Sequence, residues 1–322
     1  MERQQWDPAN LGLCSRSLLK VEVPGYTGNI RMEVPFFVLV GKERQPRALL
    51  IAGVHGDEYE GVAMLQDLAR EIDPHDLRGT LTIVPVANPQ AFYAHTRRHP
   101  VDLGDLNRSF PGNPNGTISE RLADLLFREL VLGNDYVLSM HCWGQEATVI
   151  PYVEHQIDES PAGRKAAAAA LALGLEFAHP YQWPEGLMAL SALRHGIAAI
   201  EPEVGGLGTL TEAGHRAYRT MTYRFLAHLQ MLAPPETGLD APYQKTKIVE
   251  HTDCLASHAG LLRRYVSAGD PVSQGQLIGT ICDLAGENLE EIRAPRAGTV
   301  AIARVFSSIQ PGERIAQLFW EK

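Results

Sequence analysis

The chain has 322 residues, of which 45% are hydrophobic, and its formal net charge is -9. This length provides a large core and room for two domains. The acidic net charge excludes a typical binder of nucleic-acid backbones, because such a protein needs a basic face. No apolar run reaches the ~20 residues that span a bilayer. We therefore expect neither a nucleic-acid nor a membrane partner.

The N-terminal segment MERQQWDPANLGLCSRSLLK lacks the apolar stretch of a signal peptide, and we therefore expect a cytoplasmic protein. The four cysteines (Cys14, Cys142, Cys254 and Cys282) are scattered and form no CxxC pair. In a reducing compartment they are expected to be free thiols. A metal site in this chain would therefore be built from histidines and carboxylates.

Strand-like and helix-like segments alternate from about Pro46 to Leu232. Short apolar runs such as ALLIAG are typical of buried strands, and amphipathic stretches indicate helices. The predicted strands are Ala48–Gly53, Leu81–Asn88, Asp135–Cys142 and one around Ile197–Glu201. The predicted helices are Gly61–Arg70, Ser119–Leu132, Arg164–Leu173 and about Thr211–Leu232. This alternation favours a layered α/β domain.

The pattern changes after Leu232. The segment Ala233–Gln244 is rich in proline and glycine, which indicates a linker or a surface crossing. Beyond it, short β-like segments are separated by turn dipeptides, which predicts an all-β module. We therefore predict two domains, a catalytic domain over residues 1–238 and a β-rich domain over residues 239–322.

The first candidate site lies in IAGVHGDEYEG, Ile51–Gly61. His55 and Glu58 follow a predicted strand that ends at Gly53, and we predict a helix to begin near Glu58. They therefore lie at the carboxyl end of a strand, where α/β proteins bind ligands. The spacing His-x-x-Glu lets an imidazole and a carboxylate reach one cation at ~2.0–2.2 Å. The same spacing also occurs by chance in solvated turns, so the motif needs support from other residues.

Two further candidates are associated with other predicted strands. His141 lies at the end of the apolar stretch Tyr136–Met140, and Glu203 follows the strand around Ile197–Glu201 and precedes a Gly-Gly turn. A lone histidine at such a place more often belongs to the core, but residues at equivalent ends of parallel strands can meet at one edge of the sheet. Two histidines and one carboxylate, with a fourth position open, are the ligands of a catalytic zinc. A further carboxylate must then carry the proton to the leaving amine, and Glu203 is the candidate.

A polar loop, TRRHPVDLGDLNRSFPG (Thr96–Gly112), supplies cationic side chains. Its candidates are Arg97, Arg98, Asn107 and Arg108. A solvated charged loop is one interpretation. The other is recognition of an anion, because the planar guanidinium matches a carboxylate.

Taken in order, HGDEYEG, DLNRSFPG, SMHCWG and EPEVGG resemble the succinylglutamate desuccinylase/aspartoacylase family, which belongs to the zinc carboxypeptidase-like superfamily. The resemblance covers roughly residues 45–235, and DLNRSFPG is its most specific block. It implies a mixed sheet flanked by helices. It also implies one zinc ion per chain, although other divalent metals bind such a ligand set.

The same resemblance implies roles for individual residues. Zinc would be held by His55, Glu58 and His141, with Glu203 as general base and acid. Asn107 and Arg108 would hold a substrate carboxylate, and Arg97 would stabilise the oxyanion, although the adjacent Arg98 is an alternative. The family also places a tyrosine near the substrate, which we do not assign to one of the ten tyrosines.

The C-terminal module resembles the barrel-sandwich of biotinyl and lipoyl carriers in GDPVSQGQLIG (Gly269–Gly279) and APRAGTV (Ala294–Val300). Carrier domains bear a modified lysine at a hairpin tip, but the stretch Cys282–Pro295 contains no lysine. We therefore expect this module to shape the mouth of the active site.

We expect a zinc-dependent deacylase that cleaves the amide bond of a small N-acylated amino acid, its small-molecule partner. The alternatives are a metallocarboxypeptidase acting on short peptides and a non-catalytic binding protein on an enzyme fold. The sequence leaves open the acyl group, the amino acid and whether the chain forms a homo-oligomer.

Overall fold

The computed structural model describes residues 6–23, 32–243 and 245–321. The first five residues of the N-terminal segment, and Gln244 at the end of the predicted linker, lie outside them. The strands are β1 (Ser15–Glu22), β2 (Glu33–Val40), β3 (Arg47–Ile51), β4 (Thr80–Val84), β5 (Tyr136–Ser139), β6 (Ala147–Gln156), β7 (Phe177–Tyr181), β8 (Ala198–Gly206), β9 (Lys247–Leu255), β10 (Gly260–Arg264), β11 (Pro271–Val272), β12 (Leu277–Cys282), β13 (Asn288–Arg293), β14 (Gly298–Arg304), β15 (Ser308–Ile309) and β16 (Arg314–Glu321). The α-helices are α1 (Glu60–Glu71), α2 (Pro89–Ala94), α3 (Ile118–Leu126), α4 (Pro161–Ala172), α5 (Met188–Arg194) and α6 (Glu212–His228).

Twelve strands form one mixed sheet in the order β1-β2-β4-β3-β5-β8-β6-β7-β9-β16-β14-β11. Strands β4, β3, β5 and β8 are parallel to their neighbours in this run, whereas β2 pairs antiparallel with β4 and β6 pairs antiparallel with β8. The additional pairing of β14 with β6 curls this end of the sheet back on itself. The predicted mixed α/β fold is confirmed.

Strand β3 shows why the central strands are apolar along their whole length. Ala48 and Leu50 pack into one hydrophobic cluster, and Leu49 and Ile51 pack into a second cluster on the opposite face. Helices α1, α4 and α6 contribute to the first cluster, and α3 and α5 contribute to the second. Because helices cover both faces, every side chain of the strand after Arg47 is buried.

The predicted helices have close counterparts in the structure. Helix α1 begins at Glu60, just after the predicted start near Glu58, because Glu58 is still part of the loop. Helix α3 begins with a capping box in which Thr117 accepts a hydrogen bond from the backbone of Glu120, and the Glu120 side chain accepts one from Thr117. Helix α6 ends at His228, four residues before the predicted end, and is capped by Leu229.

The described residues between α6 and β9 form neither helix nor strand, and those after Lys247 form strands connected by turns. Strands β13, β12, β10 and β15 make a separate four-stranded sheet, whereas β9, β16, β14 and β11 continue the main sheet beyond β7. The C-terminal segment therefore packs directly beside β6 and β7. The boundary between residues 238 and 239, and the likeness to a barrel-sandwich, stay predictions.

Within the described residues, no helix combines the length and the apolar character needed to cross a bilayer.

Candidate metal centre and active-site cavity

Three neighbouring strands bring the predicted site residues together. His55 lies in the loop after β3, His141 lies two residues beyond the end of β5, and Glu203 lies in β8, the next strand of the sheet. The sequence placed Glu203 after the end of its strand, but β8 continues to Gly206, so Glu203 lies within the strand. Backbone hydrogen bonds hold this part of β8 beside His141: His141 N donates to Pro202 O at 3.0 Å, and Val204 N donates to His141 O at 3.1 Å.

The buried side chains of His55, Glu58 and His141 form a group able to hold a metal ion, with donor atoms that all lie within 4.8 Å of one another. His55 Nδ1 is 2.8 Å from Glu58 Oε1, and His141 Nδ1 is 3.1 Å from Glu58 Oε2. Ligands of one tetrahedral zinc are about 3.4 Å apart, because each lies ~2.0–2.2 Å from the ion. The two imidazoles and the carboxylate therefore fit a single divalent cation.

The second nitrogen of each imidazole has its own partner in the protein. His55 Nε2 lies 3.1 Å from Asp105 Oδ1. His141 Nε2 lies 3.0 Å from Ser139 Oγ and 3.7 Å from Glu201 Oε1. Such contacts fix the ring orientation and leave Nδ1 of both rings directed at Glu58.

Glu58 is ionised despite its burial. Burial raises the pKa of this carboxyl group, but the facing imidazoles of His55 and His141 have the larger combined effect and bring the pKa well below its ordinary value. The backbone N–H of Cys142 also donates to Glu58 Oε2 at 3.1 Å. The group thus presents a fixed negative charge between two nitrogen ligands.

Glu203 lies beside this centre with a carboxylate oxygen that has no protein partner. Its Oε2 atom is buried and makes no hydrogen bond. Burial raises the pKa of Glu203 well above its ordinary value, His141 opposes the shift, and nearby carboxylates such as Glu58 add to it. A carboxyl group in such surroundings is suited to carry a proton.

The geometry distinguishes Arg97 from Arg98. The Nη1 atom of Arg97 lies 3.4 Å from His55 Nδ1 and 3.7 Å from Glu58 Oε1, and its Nε atom donates to Asp105 at 3.2 Å. Arg98 instead donates to the backbone oxygen of Leu103. Arg97 is thus the arginine at the metal ligands, although both residues line the same cavity.

Asn107 and Arg108 also line this cavity, but in different ways. The amide of Asn107 is held by the protein: its Oδ1 accepts from the backbone N–H of Met188 at 3.0 Å, and its Nδ2 donates to Glu201 at 3.4 Å. Arg108 is exposed, with one hydrogen bond from Nη1 to the backbone oxygen of Asn107. The exposed guanidinium is therefore the better placed of the two to meet a bound anion.

The cavity has a volume of about 720 Å³. One wall consists of the residues just described. A further part of the lining comes from the C-terminal segment, through His251 of β9 and through Arg314 and Gln317 of β16. The expectation that this segment shapes the mouth of the site agrees with this arrangement.

The family model of the succinylglutamate desuccinylase/aspartoacylase catalytic domain matches residues 44–229 of this chain. The chain belongs to the succinylglutamate desuccinylase/aspartoacylase family. A curated relative, the N-alpha-acetyl-L-2,4-diaminobutyric acid deacetylase of Halomonas elongata, is 35% identical over 290 residues, which cover 86% of this chain and 83% of the relative.

Solved structures of the same family superimpose over almost the whole chain. The product-bound ectoine utilization protein EutE (DoeB) from Ruegeria pomeroyi has a TM-score of 0.87 at 27% identity, and the match covers 96% of this chain and 97% of that one. A succinylglutamate desuccinylase/aspartoacylase from Rhodobacter sphaeroides gives a TM-score of 0.87 at 27% identity, with 97% and 98% covered. The likeness thus includes the C-terminal strands as well as the catalytic segment.

The family's tyrosine now has a candidate. Among the tyrosines that the structure describes, Tyr181 at the end of β7 lines the cavity. Its ring stacks on that of His179 at 4.7 Å with an interplanar angle of 11°. Burial raises the pKa of Tyr181 far above its ordinary value, and the negative charges of nearby carboxylates, Glu154 first among them, add to this effect. Its hydroxyl is therefore a hydrogen-bond donor.

Several cavity residues were not recognised in the sequence. Asp105 and Glu201 each precede a predicted site residue by two positions, and a period of two could have indicated Glu201, because alternate residues of a strand share a face. Glu154 and His179 lie in β6 and β7, which the sequence analysis did not identify as strands. His251 comes from the C-terminal segment, and no local signal connects it to the site.

Proposed function

We propose that this protein is a zinc-dependent amidohydrolase that removes the acyl group of a small N-acylated amino acid. The observation that supports it most strongly is the group of His55, Glu58 and His141 with Glu203 beside it in one cavity. Two histidines and one carboxylate form the ligand set of catalytic zinc sites.

The ion would be held by His55 Nδ1, His141 Nδ1 and the Glu58 carboxylate. When bound there, zinc lowers the pKa of water and polarises a carbonyl group. Asp105 would accept a hydrogen bond from His55 Nε2 and so keep Nδ1 free for the metal.

Glu203 would remove the proton from the attacking water and pass it to the amine that leaves. Its Oε2 atom has no competing partner in the protein, and its raised pKa suits a group that must hold a proton between the two steps. Arg97 would stabilise the negative charge on the carbonyl oxygen, since its guanidinium lies at the metal ligands. Arg108 would pair with the substrate carboxylate, with Asn107 in support.

The Halomonas relative supports an N-acetylated amino acid as substrate, because it is named as a deacetylase of N-acetyl-2,4-diaminobutyrate. The cavity supports a small molecule, because its volume is about 720 Å³ and because His251, Arg314 and Gln317 from the C-terminal segment add to its lining. These features favour a deacylase over a metallocarboxypeptidase.

A hydrolysis panel tests the proposal. Zinc-loaded protein is incubated with N-acetyl and N-succinyl amino acids, and with short peptides, and the released amines are quantified. We expect hydrolysis of N-acetyl amino acids, with N-acetyl-2,4-diaminobutyrate among the substrates. Cleavage of peptides alone would refute the deacylase and favour the carboxypeptidase, and absence of any hydrolysis by zinc-loaded protein would favour a binding protein.

A further inference from the structure

A row of polar side chains crosses the sheet in the wall of the cavity. Glu201 of β8 lies directly opposite Glu154 of β6, and Glu154 lies opposite His179 of β7. The row continues to β9, where His251 Nδ1 lies 2.8 Å from His179 Nε2. All four residues line the cavity.

Two carboxylates face each other in this row. Glu201 is 3% exposed and Glu154 is 9% exposed. Like charges at directly opposed positions of neighbouring strands destabilise a sheet, and burial increases the cost of a charge that has no counter-ion. Two ionised carboxylates are therefore an unfavourable arrangement here unless a cation joins them or one of them takes up a proton.

The described residues place no lysine or arginine in direct contact with the pair. Burial raises the pKa of Glu201, and the positive charges of His141 and Arg108 act on it only as part of the surroundings that oppose this rise. In the part of the chain that the structure describes, neither Glu154 nor Glu201 has a lysine or arginine nitrogen within 4.0 Å; their nearest basic partners are His179 at 3.4 Å and His141 at 3.7 Å. Arg314, the arginine that the C-terminal segment contributes to the cavity lining, is already paired with Asp253, at 2.8 Å from Nε to Oδ1.

His251, at the end of the row, is not a fixed cation either. Burial and the neighbouring His179 lower the pKa of His251, so its imidazole is neutral at neutral pH. The row is also unsuited to a second metal ion: among the described residues, the group with three closely spaced donors is His55, Glu58 and His141. The expected occupant is therefore an organic cation.

The distance from the metal centre limits the length of that cation. Glu201 Oε1 is 3.7 Å from His141 Nε2, which places it within about 8 Å of an ion bound at the other nitrogen of the ring. An ammonium group two methylenes beyond the α-carbon is five bonds from the scissile carbonyl carbon, or about 6 Å when extended. A short cationic side chain thus reaches Glu201, which lies opposite Glu154 on the neighbouring strand, while its amide lies at the metal.

We propose that Glu154, with Glu201 opposite it, binds the ammonium group of a short cationic side chain and determines specificity for the amino-acid part of the substrate. This inference rests on the proposed deacylase function. Glu154 is the residue to test, because Glu201 contacts His141 and its replacement would also disturb the metal centre.

The experiment compares two N-acetyl amino acids that differ only at the end of the side chain. N-alpha-acetyl-2,4-diaminobutyrate carries an ammonium group at the end of its side chain, where N-acetylnorvaline carries a methyl group. The kcat/KM ratio of the two is measured for zinc-loaded wild-type protein, for Glu154→Gln, and for Glu146→Gln as a control that removes a carboxylate from the exposed rim of the same cavity. Binding of the products 2,4-diaminobutyrate and norvaline is measured by calorimetry.

We expect the wild type and Glu146→Gln to prefer the cationic substrate. Glu154→Gln should lower that preference about 10- to 100-fold, the usual effect of losing a hydrogen bond to a charged group. The loss should appear in KM for the cationic substrate, with zinc content and turnover of N-acetylnorvaline retained. A purely structural role for Glu154 would impair both substrates equally.

The outcomes separate the two proposals. Hydrolysis of N-acetyl amino acids with the same ratio in the wild type and Glu154→Gln would overturn the ammonium subsite and leave the deacylase intact. Absence of hydrolysis, with binding of 2,4-diaminobutyrate that depends on Glu154, would overturn the deacylase and support the subsite. Equal binding of 2,4-diaminobutyrate and norvaline by the wild type would also overturn the subsite.

Discussion

Asp105 connects the candidate metal ligand His55 to Arg97 within the polar loop Thr96–Gly112, and its replacement by asparagine gives the most specific prediction of the structure. Its Oδ1 atom lies 3.1 Å from His55 Nε2, and its Oδ2 atom accepts from Arg97 Nε at 3.2 Å. Burial raises the pKa of Asp105. The hydrogen bond from His55 and the charges of His55, Arg97 and Arg108 outweigh burial and hold this pKa far below its ordinary value.

The substitution Asp105→Asn keeps the shape of the side chain and removes its charge. Outer contacts of metal-bound histidines are typically worth a factor of 10–100 in metal affinity, which corresponds to about 1.4–2.7 kcal/mol. We therefore expect zinc affinity to fall by about that factor. The activity of the zinc-loaded variant should also fall, because Arg97 loses its ionic partner.

Zinc affinity is measured by competition with a chromophoric chelator. Asp102→Asn is the matched control: Asp102 lies in the same loop and accepts from the backbone N–H and the hydroxyl of Ser119, both at 2.8 Å, away from the metal ligands. Zinc binding by Asp105→Asn as tight as that of the wild type, or equally weakened binding by Asp102→Asn, would refute the role assigned to Asp105.

Three further substitutions test other parts of the structure. Glu203→Gln should retain zinc and lower kcat about 100- to 10,000-fold, because proton transfer is lost; a variant of normal kcat would reject the role of Glu203. Arg108→Ala should raise KM for N-acyl amino acids with little change in zinc content, and unchanged KM would show that its guanidinium does not hold the substrate. Phe225→Ala, at a fully buried position of α6, should lower the free energy of unfolding by about 3–5 kcal/mol in urea titrations, whereas Leu18→Ala at the exposed surface should change it little.

The sequence predicted the central part of the fold because the physical constraint there is simple. Strands β3, β4 and β5 are covered on both faces, so they appear as continuous apolar runs, and the helices between them keep one apolar face. The metal ligands follow such runs at the carboxyl ends of β3 and β5, where an α/β sheet presents its functional loops. Sequence pattern and spatial position therefore coincide for His55, Glu58 and His141.

Strands β6 and β7 were not predicted, and the reason is functional. Strand β6 contains Pro151, Glu154 and His155, and β7 contains His179 and Pro180. Glu154 and His179 line the cavity, so polar residues occupy positions that are apolar in a core strand. The strands that form the wall of a polar site have neither a continuous apolar run nor a clear alternation.

Other features depend on pairing between distant segments. The opposition of Glu154 and Glu201 follows from the register of β6 on β8, and the contact of His179 with His251 follows from the position of β9 beside β7. No local pattern specifies either register. Strands β1 and β2 lie before the region in which the sequence analysis identified elements, although β1 alternates in burial along most of its length.

The central claim is that one zinc ion, held by His55, Glu58 and His141, is required for amide hydrolysis. The direct measurement is the metal content of the purified protein by mass spectrometry, together with hydrolysis of an N-acetyl amino acid before chelation, after chelation and after zinc is restored. We predict about one zinc per chain, loss of activity with the metal, recovery with zinc, and a folded His141→Ala variant without metal. Full activity in metal-free protein, or normal zinc content in His141→Ala, would contradict the account.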